Sequence, residues 1–499
     1  MGLSSSQNLR SSDPDTADLP GSENSAGPSY ISGHRKRKRS GECLEPNSSG
    51  HMSQDQGESP QQVLSRSHRK KVKIASEFAY QTLFLNGLDS DIKIHALGQV
   101  WYLHKVFLFQ SGYFANMFKG SWKEFHGDVI ELEINDKNID ITSLHFVFAS
   151  LYRDKDVLIN PLLVPRVLAT ACLLQVDYLI EQCNETMKEM INMKTVCAYY
   201  VAAETYGLDS VKTGCFEWLL HNLMIHPSVE LYKEINPELM CRLVSSSNLL
   251  VMQKEIDIYT TLKEWMFLRL NPNWKGSMKQ LLIGSNNWFS KHMKCVGNTA
   301  FLEKEEGEAF QPVFKKLRLQ HIIYDLSSIR IIEHDQIIPA EWLSTICKQQ
   351  WLLLLQAQQH SVIGPRVLND TELEVYSMRC GKRIIRDGKY SWKWSSSNLG
   401  LPLRVIFTSH YILFKQNTSS QERDGSTCSQ PIQNVAFRIT LVYFDSIGKP
   451  TFSKTTGYKI LSFQNGKEQI VMKLNNIVLR FPLYIFCNFL FISLDNTRK

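Results

Sequence analysis

A histidine, an aspartate and eleven cysteines are the first residues to ask for chemistry. His104 stands where an alternating run, VWYLHK (100–105), gives way to helical spacing, and Asp91 precedes the alternating run IKIHA. Neither forms a catalyst. No Ser or Cys sits in a recognisable nucleophile elbow, and no carboxylate is placed to orient the imidazole. His104 therefore reads as a structural histidine on a strand-to-helix corner, and Asp91 as a residue that caps or bonds backbone. The cysteines are scattered singly, and Cys172, Cys183, Cys197 and Cys215 lie inside apolar helical patterns. Without a C-x-x-C pair, zinc and redox sites are not expected. Without a signal peptide, the thiols read as reduced and buried in a cell interior. No metal or phosphate constellation is visible, so no cofactor is expected and an enzyme is the weakest reading.

Binding chemistry is a different matter. In GYFANMFKGSWKEF (112–125), apolar helical spacing ends at Phe118, Gly120-Ser121 stops it, and Trp122-Lys123-Glu124 follows. A tryptophan in a short polar connection is costly to leave in water. It either folds back onto Phe118 or Phe125, or buries itself in a partner, where tryptophan is enriched at energetic hot spots.

The elements that would position these residues follow from periodicity. SDIKIHA (90–96) and VWYLHK (100–105) read as strands joined by a hairpin at Leu97-Gly98-Gln99. A helix spans 105–118, and VIELEI (129–134) is a third strand. Asp140 caps a helix that buries Leu144, Phe148, Leu151 and Tyr152. Helices follow at 164–174, 178–190 and 194–208, the last closed by Gly207. Asp209 starts another, with Val211, Cys215, Trp218 and Asn222 on one stripe, and helical patterns continue to 360. After Gly364-Pro365 the period changes to two, in YSWKW, LRVIF, VAFRITLVY, YKILSF and QIVMKL, which implies a β-sandwich with Trp392 and Trp394 in its core. FPLYIFCNFLFISL (481–494) is too short to span a membrane and reads as a buried strand pair.

Residues 90–118 resemble a BTB/POZ domain, on Asp91, His104-Lys105, Leu108, Ser111, Tyr113-Phe114 and Met117-Phe118. FASLYRD (148–154) and ACLLQVDYLIEQC (171–183) resemble that fold's later helices. The stretch opening with VCAYYVAAETYGLDSVKTGCFEWLLHNL resembles a BACK domain. A kelch propeller would need a repeat of about 50 residues, and no Gly-Gly pair occurs in the chain. The whole order is similar to germ cell-less-like proteins. The implied architecture is multidomain α+β. It comprises a disordered basic tail (1–76), a BTB/POZ α/β domain (77–188), an all-α BACK-like domain (189–300), a mixed helical connector (301–364) and a β-rich, sandwich-like germ cell-less-type domain (365–499).

The resemblance implies a substrate-specific adaptor of a cullin-3 ubiquitin ligase, dimeric through its BTB domain, acting in germ-cell development and spermatogenesis. The alternative is a nuclear-envelope or nuclear-matrix scaffold, or transcriptional co-repressor, without ligase activity. Trp122 and Glu124 fall on the hydrophobic–x–Glu element of cullin-3-binding BTB domains, with Tyr113 at the groove's edge and Met117 and Phe118 in the domain's own core. Phe78, Leu83 and Phe84 sit where such domains have a pairing helix; otherwise they cover the sheet of their own chain. Targets, whose identity the sequence does not carry, would bind the β-rich end or adjoining helices.

The tail is polar and charged, with Tyr30 its lone aromatic, and cannot offset its ordering entropy. The chain's net charge of +7 is modest and reads as concentrated early, in HRKRKR (34–39) and HRKKVK (68–73). Arg35, Lys36, Arg37, Lys38 and Arg39, with Lys70, Lys71 and Lys73, fit nuclear import. Unspecific phosphate contact and a solvated charge run are the other readings; no motif for reading a specific nucleic acid accompanies them. MGLSSS places Gly2 and Ser6 in an N-myristoylation pattern. One acyl chain holds a membrane only weakly, so the basic cluster would be its second signal. Lipid and import together point to the nucleus, its envelope or matrix, and to nuclear-envelope proteins as partners.

Overall fold

The computed structural model describes residues 76–120, 127–153, 157–294, 299–323, 326–358, 369–395, 402–416, 432–464, 467–475 and 478–492. Three strands open the fold: β1 (Ile92–Ala96), β2 (Gln99–Leu103) and β3 (Val129–Glu131), in the order β2-β1-β3. β1 and β2 pair antiparallel, and β3 joins β1 in parallel. Leu97 and Gly98 have φ of 47° and 75°. Left-handed backbone at both turn positions matches the strands' twist, and only the glycine adopts it without steric cost. β3 is shorter than its alternation implies, because pairing with β1 stops at Glu131.

The helices follow their caps. Ile141–Ser150 starts on a capping box, in which Asp140 accepts the Ser143 N–H and the Ser143 hydroxyl accepts the Asp140 N–H. Its predicted face, Leu144, Phe148, Leu151 and Tyr152, is buried. Helices Val164–Leu174, Asp177–Glu189, Val196–Tyr206 and Asp209–Asn222 continue one apolar core. Glu255–Leu270 is buried on most of its circumference, with the charge of Lys263 met by Asp335. Its Trp265 indole N–H donates to the Ile235 carbonyl at 2.9 Å.

The C-terminal strands are β4 (Met378–Ile384), β5 (Tyr390–Ser395), β6 (Pro402–Phe407), β7 (Tyr411–Gln416), β8 (Ile432–Phe444), β9 (Pro450–Thr455), β10 (Lys459–Gln464), β11 (Gln469–Lys473) and β12 (Leu483–Ile492). One sheet runs β10-β8-β12-β4, with β9 also on β8; the other runs β11-β7-β6-β5. Their inner faces share one apolar core, so the unit is a β-sandwich. Trp394 is fully in that core and Trp392 packs against it. The run at 481–494, expected as a strand pair, is the single strand β12. It is apolar on both faces because both are covered. Ile485, Cys487 and Phe489 point into the sandwich, while Tyr484 and Phe486 pack with Leu250 and Leu490 with Leu373.

Candidate partner-binding surfaces

The run expected as one helix over 105–118 is two, Lys105–Leu108 and Gly112–Lys119, because Ser111 is extended and caps the second; that second helix carries Tyr113, and its position is tightly set. The Ser111 hydroxyl donates to the Leu174 carbonyl at 2.5 Å and accepts the Phe114 N–H at 3.3 Å. The Gly112 N–H donates to the Gln175 carbonyl at 2.9 Å. A Cβ on Gly112 would stand 3.1 Å from Gln175 Cβ and 3.4 Å from the Gln175 carbonyl oxygen, so the two segments approach closely here. Phe114, Met117 and Phe118 face inward, and Tyr113 is half-buried with its ring 5.2 Å from that of Phe114. Trp122 and Glu124 lie outside the described residues.

His104 and Asp91 are structural. The His104 N–H donates to the Tyr152 hydroxyl at 2.9 Å, that hydroxyl meets Nδ1 at 3.1 Å, and Nε2 donates to the Leu88 carbonyl at 2.8 Å. Asp91 accepts the Lys105 N–H at 2.8 Å, so it caps the helical turn after the corner.

Of the three residues expected at a dimer contact, Phe84 is spent on its own chain: its ring lies 5.0 Å from His145 and 5.2 Å from Tyr152. Leu83 is half-buried, and Phe78 is 60% exposed. Beside them Val100, Tyr102 and Ile141 are also exposed and border a cleft of about 490 Å³. Gly2 and the basic residues Arg35–Arg39, Lys70, Lys71 and Lys73 lie outside the described residues. Among the described residues no group of three or more His, Cys, Asp or Glu could hold a metal ion, and no helix is long and apolar enough to cross a membrane.

Periodicity showed the stripe Val211, Cys215, Trp218, Asn222 but not what it meets. Its lower end docks on the sandwich. The Trp218 indole N–H donates to the Ile447 carbonyl at 3.2 Å, and the Asn222 amide to the Gly448 carbonyl at 2.8 Å. Arg379 on β4 pairs with Glu255 at the start of the deep helix, at 2.8 Å, with both side chains almost wholly buried. The carboxylate also accepts the Arg379 N–H, and the guanidinium donates to the Val244 and Ser246 carbonyls. Burial alone would raise the Glu255 pKa; the Arg379 charge and hydrogen bonds outweigh it and hold the carboxyl below its usual range. Gly381 donates to the Gln253 carbonyl, and a Cβ there would stand 2.1 Å from the Val251 carbonyl oxygen. Asn488 and Arg438 both donate to the Ser247 carbonyl. Arg318 bonds the Ser377 and Glu374 carbonyls, and His321 the Tyr376 carbonyl. The sequence signal for this joint was a lone arginine in an otherwise apolar strand start, MRC.

Comparison with known proteins agrees with this architecture. Residues 80–191 match the BTB/POZ domain family. The chain is 60% identical to Germ cell-less protein-like 2 of Mus musculus, over 100% of both chains. It is 31% identical to Protein germ cell-less of Drosophila melanogaster, over 93% of this chain and 84% of that one. The chain belongs to the germ cell-less-like family of BTB proteins. Kelch-like protein 6 of Homo sapiens is 25% identical over 37% of this chain and 29% of its own. A germ cell-less-like protein is thus a non-catalytic adaptor or scaffold on a BTB domain, a domain whose family pairs and binds partners.

Proposed function

We propose that this germ cell-less-like chain is a substrate adaptor of a cullin-3 ubiquitin ligase in germ-cell development. The BTB end pairs with a second copy and recruits cullin-3 through Trp122 and Glu124, with Tyr113 at the margin. The helices beyond residue 188 extend that contact, and the β-sandwich selects the target. No residue performs chemistry; the complex works by holding a target near the transferring enzyme, which removes most of the entropic barrier to their encounter. The observation that carries this reading is the buried Glu255–Arg379 joint. An adaptor that acts by position needs its target-selecting end fixed relative to its recruiting end. The basic residues 35–39, 70, 71 and 73 would direct the protein to the nucleus, and an acylated Gly2 to its envelope.

The test is co-purification of cullin-3 with the tagged chain from cells, alongside light scattering for the dimer. Trp122→Ala with Glu124→Ala should remove a hot-spot anchor and its charged neighbour, worth at least about 2 kcal/mol or roughly thirtyfold in affinity. The dimer should persist. Unchanged binding in the double variant sinks the site; a wild type that never captures cullin-3 leaves the nuclear scaffold reading in its place.

A further inference from the structure

The chain's positive charge lies chiefly at its C-terminal end. Residues 369–499 hold 18 Lys and Arg against 9 Asp and Glu, a net of +9, whereas residues 1–76 hold 11 against 8, a net of +3. The early basic clusters mark where cations are consecutive, but the net charge is not concentrated there as expected.

Part of this excess is ordered on the four-stranded sheet. The register places Lys393 of β5 opposite Arg404 of β6, and Arg404 opposite Lys415 of β7. Their neighbours Trp394, Leu403 and Phe414 point into the core, so the three cations form a row across the outer face. Directly opposed side chains in adjacent strands sit about 5 Å apart, and like charges there are destabilising. At the β11 end the row is closed by Glu468, 3.5 Å from Lys415. At the β5 end it is open: among the described residues β5 is the edge strand, with β6 its one neighbour. Among the described residues no carboxylate is within ion-pair distance of Lys393 or Arg404; Arg404 Nε donates to the Ser391 hydroxyl at 3.0 Å. Arg386 and Lys389, in the connection from β4 to β5, precede this edge in sequence and are exposed, with Asp387 between them.

We propose that the edge of β5 is a strand-addition site for an acidic, extended segment of a partner protein. An added strand lies about 4.8 Å from β5 and satisfies its outward N–H and C=O groups. An acidic side chain in register with Lys393 closes the cation row at this end as Glu468 closes it at the other. The cation row selects an acidic segment by charge complementarity, and the open edge selects an extended one. The proposal deepens the reading that the sandwich selects targets, and rests on it.

The experiment uses the purified full chain and fluorescence anisotropy, with three labelled probes: a ten-residue Glu-Val repeat, its Gln-Val counterpart and a single-stranded DNA. The Glu-Val peptide is expected to bind about tenfold or more tighter than the Gln-Val peptide at low salt, and to lose that margin as salt rises. Lys393→Gln with Arg404→Gln should cost about tenfold in affinity for Glu-Val. The melting temperature should not fall, since a like-charge contact is relieved. Lys389→Gln, at an exposed loop position, serves as a milder second variant and should weaken the same probe. Equal affinity for the two peptides overturns the proposal, as does unchanged binding in the variants. So does tighter binding of the DNA. If the substitutions only promote self-association, Lys393 is a guard against edge pairing and the proposal falls. If binding appears only after residues 417–431 are shortened, the chain's own segment is the occupant and the proposal falls. Cullin-3 capture is not read in this assay, so failure of the ligase reading would be seen separately.

Discussion

Replacing Arg379 by methionine is expected to weaken the joint between helices and sandwich by about 3–5 kcal/mol, because it strands a buried carboxylate. Glu255 is fully enclosed, and its charge is tolerated there through Arg379. The change also leaves the Val244 and Ser246 carbonyls, at the end of helix Pro237–Ser245, without the guanidinium that bonds them. The measurement is the denaturation midpoint together with limited proteolysis of the full chain. Adding Glu255→Leu to the variant should recover part of the loss, since an apolar pair of similar volume avoids the desolvation cost. Recovery should be incomplete because the two carbonyls stay unbonded. A single variant within about 1 kcal/mol of the wild type would overturn this account, since a stranded buried carboxylate costs more than that; the net worth of the pair is read from the double variant.

Acid should loosen the same joint before it affects the ion pair. His321 is fully buried, and burial pushes its pKa down to about 4, with the bond to the Tyr376 carbonyl opposing the shift. The carbonyl can only accept, so Nε2 carries the proton of a neutral ring. In the unfolded chain this histidine binds a proton below about pH 6.5. The unfolded state therefore binds more protons between pH 6.5 and 4, and stability falls as pH falls through that window, by on the order of 3 kcal/mol. His221 and His226, whose rings flank Phe444 of β8, are also held below their ordinary value by burial. Glu255 acts lower: its contribution is present above the ordinary glutamate range and is lost as pH falls through its depressed pKa. Glu264 runs the other way, because burial raises its carboxyl to about 7 and it gains stability as pH falls. The decisive comparison is wild type against His321→Gln, which keeps an N–H donor but has no proton to gain. The variant's melting temperature should depend less steeply on pH between about 6.5 and 4; an identical slope would remove His321 from the account.

Legibility from sequence tracked locality. The N-terminal sheet and its helices were readable because their signals are short-range: Asp140 three residues from Ser143, Leu97-Gly98 between alternating runs, and the i, i+4, i+7 face from Leu144 to Leu151. The sandwich was recognised from its alternating strands, but β4, β7 and β9 were not marked. β4 reads MRCGKRI because one edge docks on helices through Arg379 and Gly381, which breaks alternation. PTFSKT in β9 is polar because its burial is slight. β12 hid its nature in the opposite way, since a strand covered on both faces has no period to detect. The joint itself was invisible, as its contacts link residues such as Trp218 and Ile447 that no local pattern relates. Of the candidate site, the sequence supplied Trp122 and Glu124 as residue types at a spacing; the helix that leads to them is now anchored by Ser111 and Gly112.

The contact between β4 and residues 251–253 has a practical side. Mapping by truncation is a common way to decide which half of a chain holds a partner. A fragment starting at residue 369 would lose Val251 and Gln253 and leave the edge of β4 raw. It would also uncover Tyr484 and Phe486, which pack against Leu250, and leave Arg379 without its carboxylate. Raw strand edges and bared aromatic patches adhere to other chains without selectivity. Baits cut at this border would collect spurious interactors, and single substitutions in the intact chain are the sounder instrument.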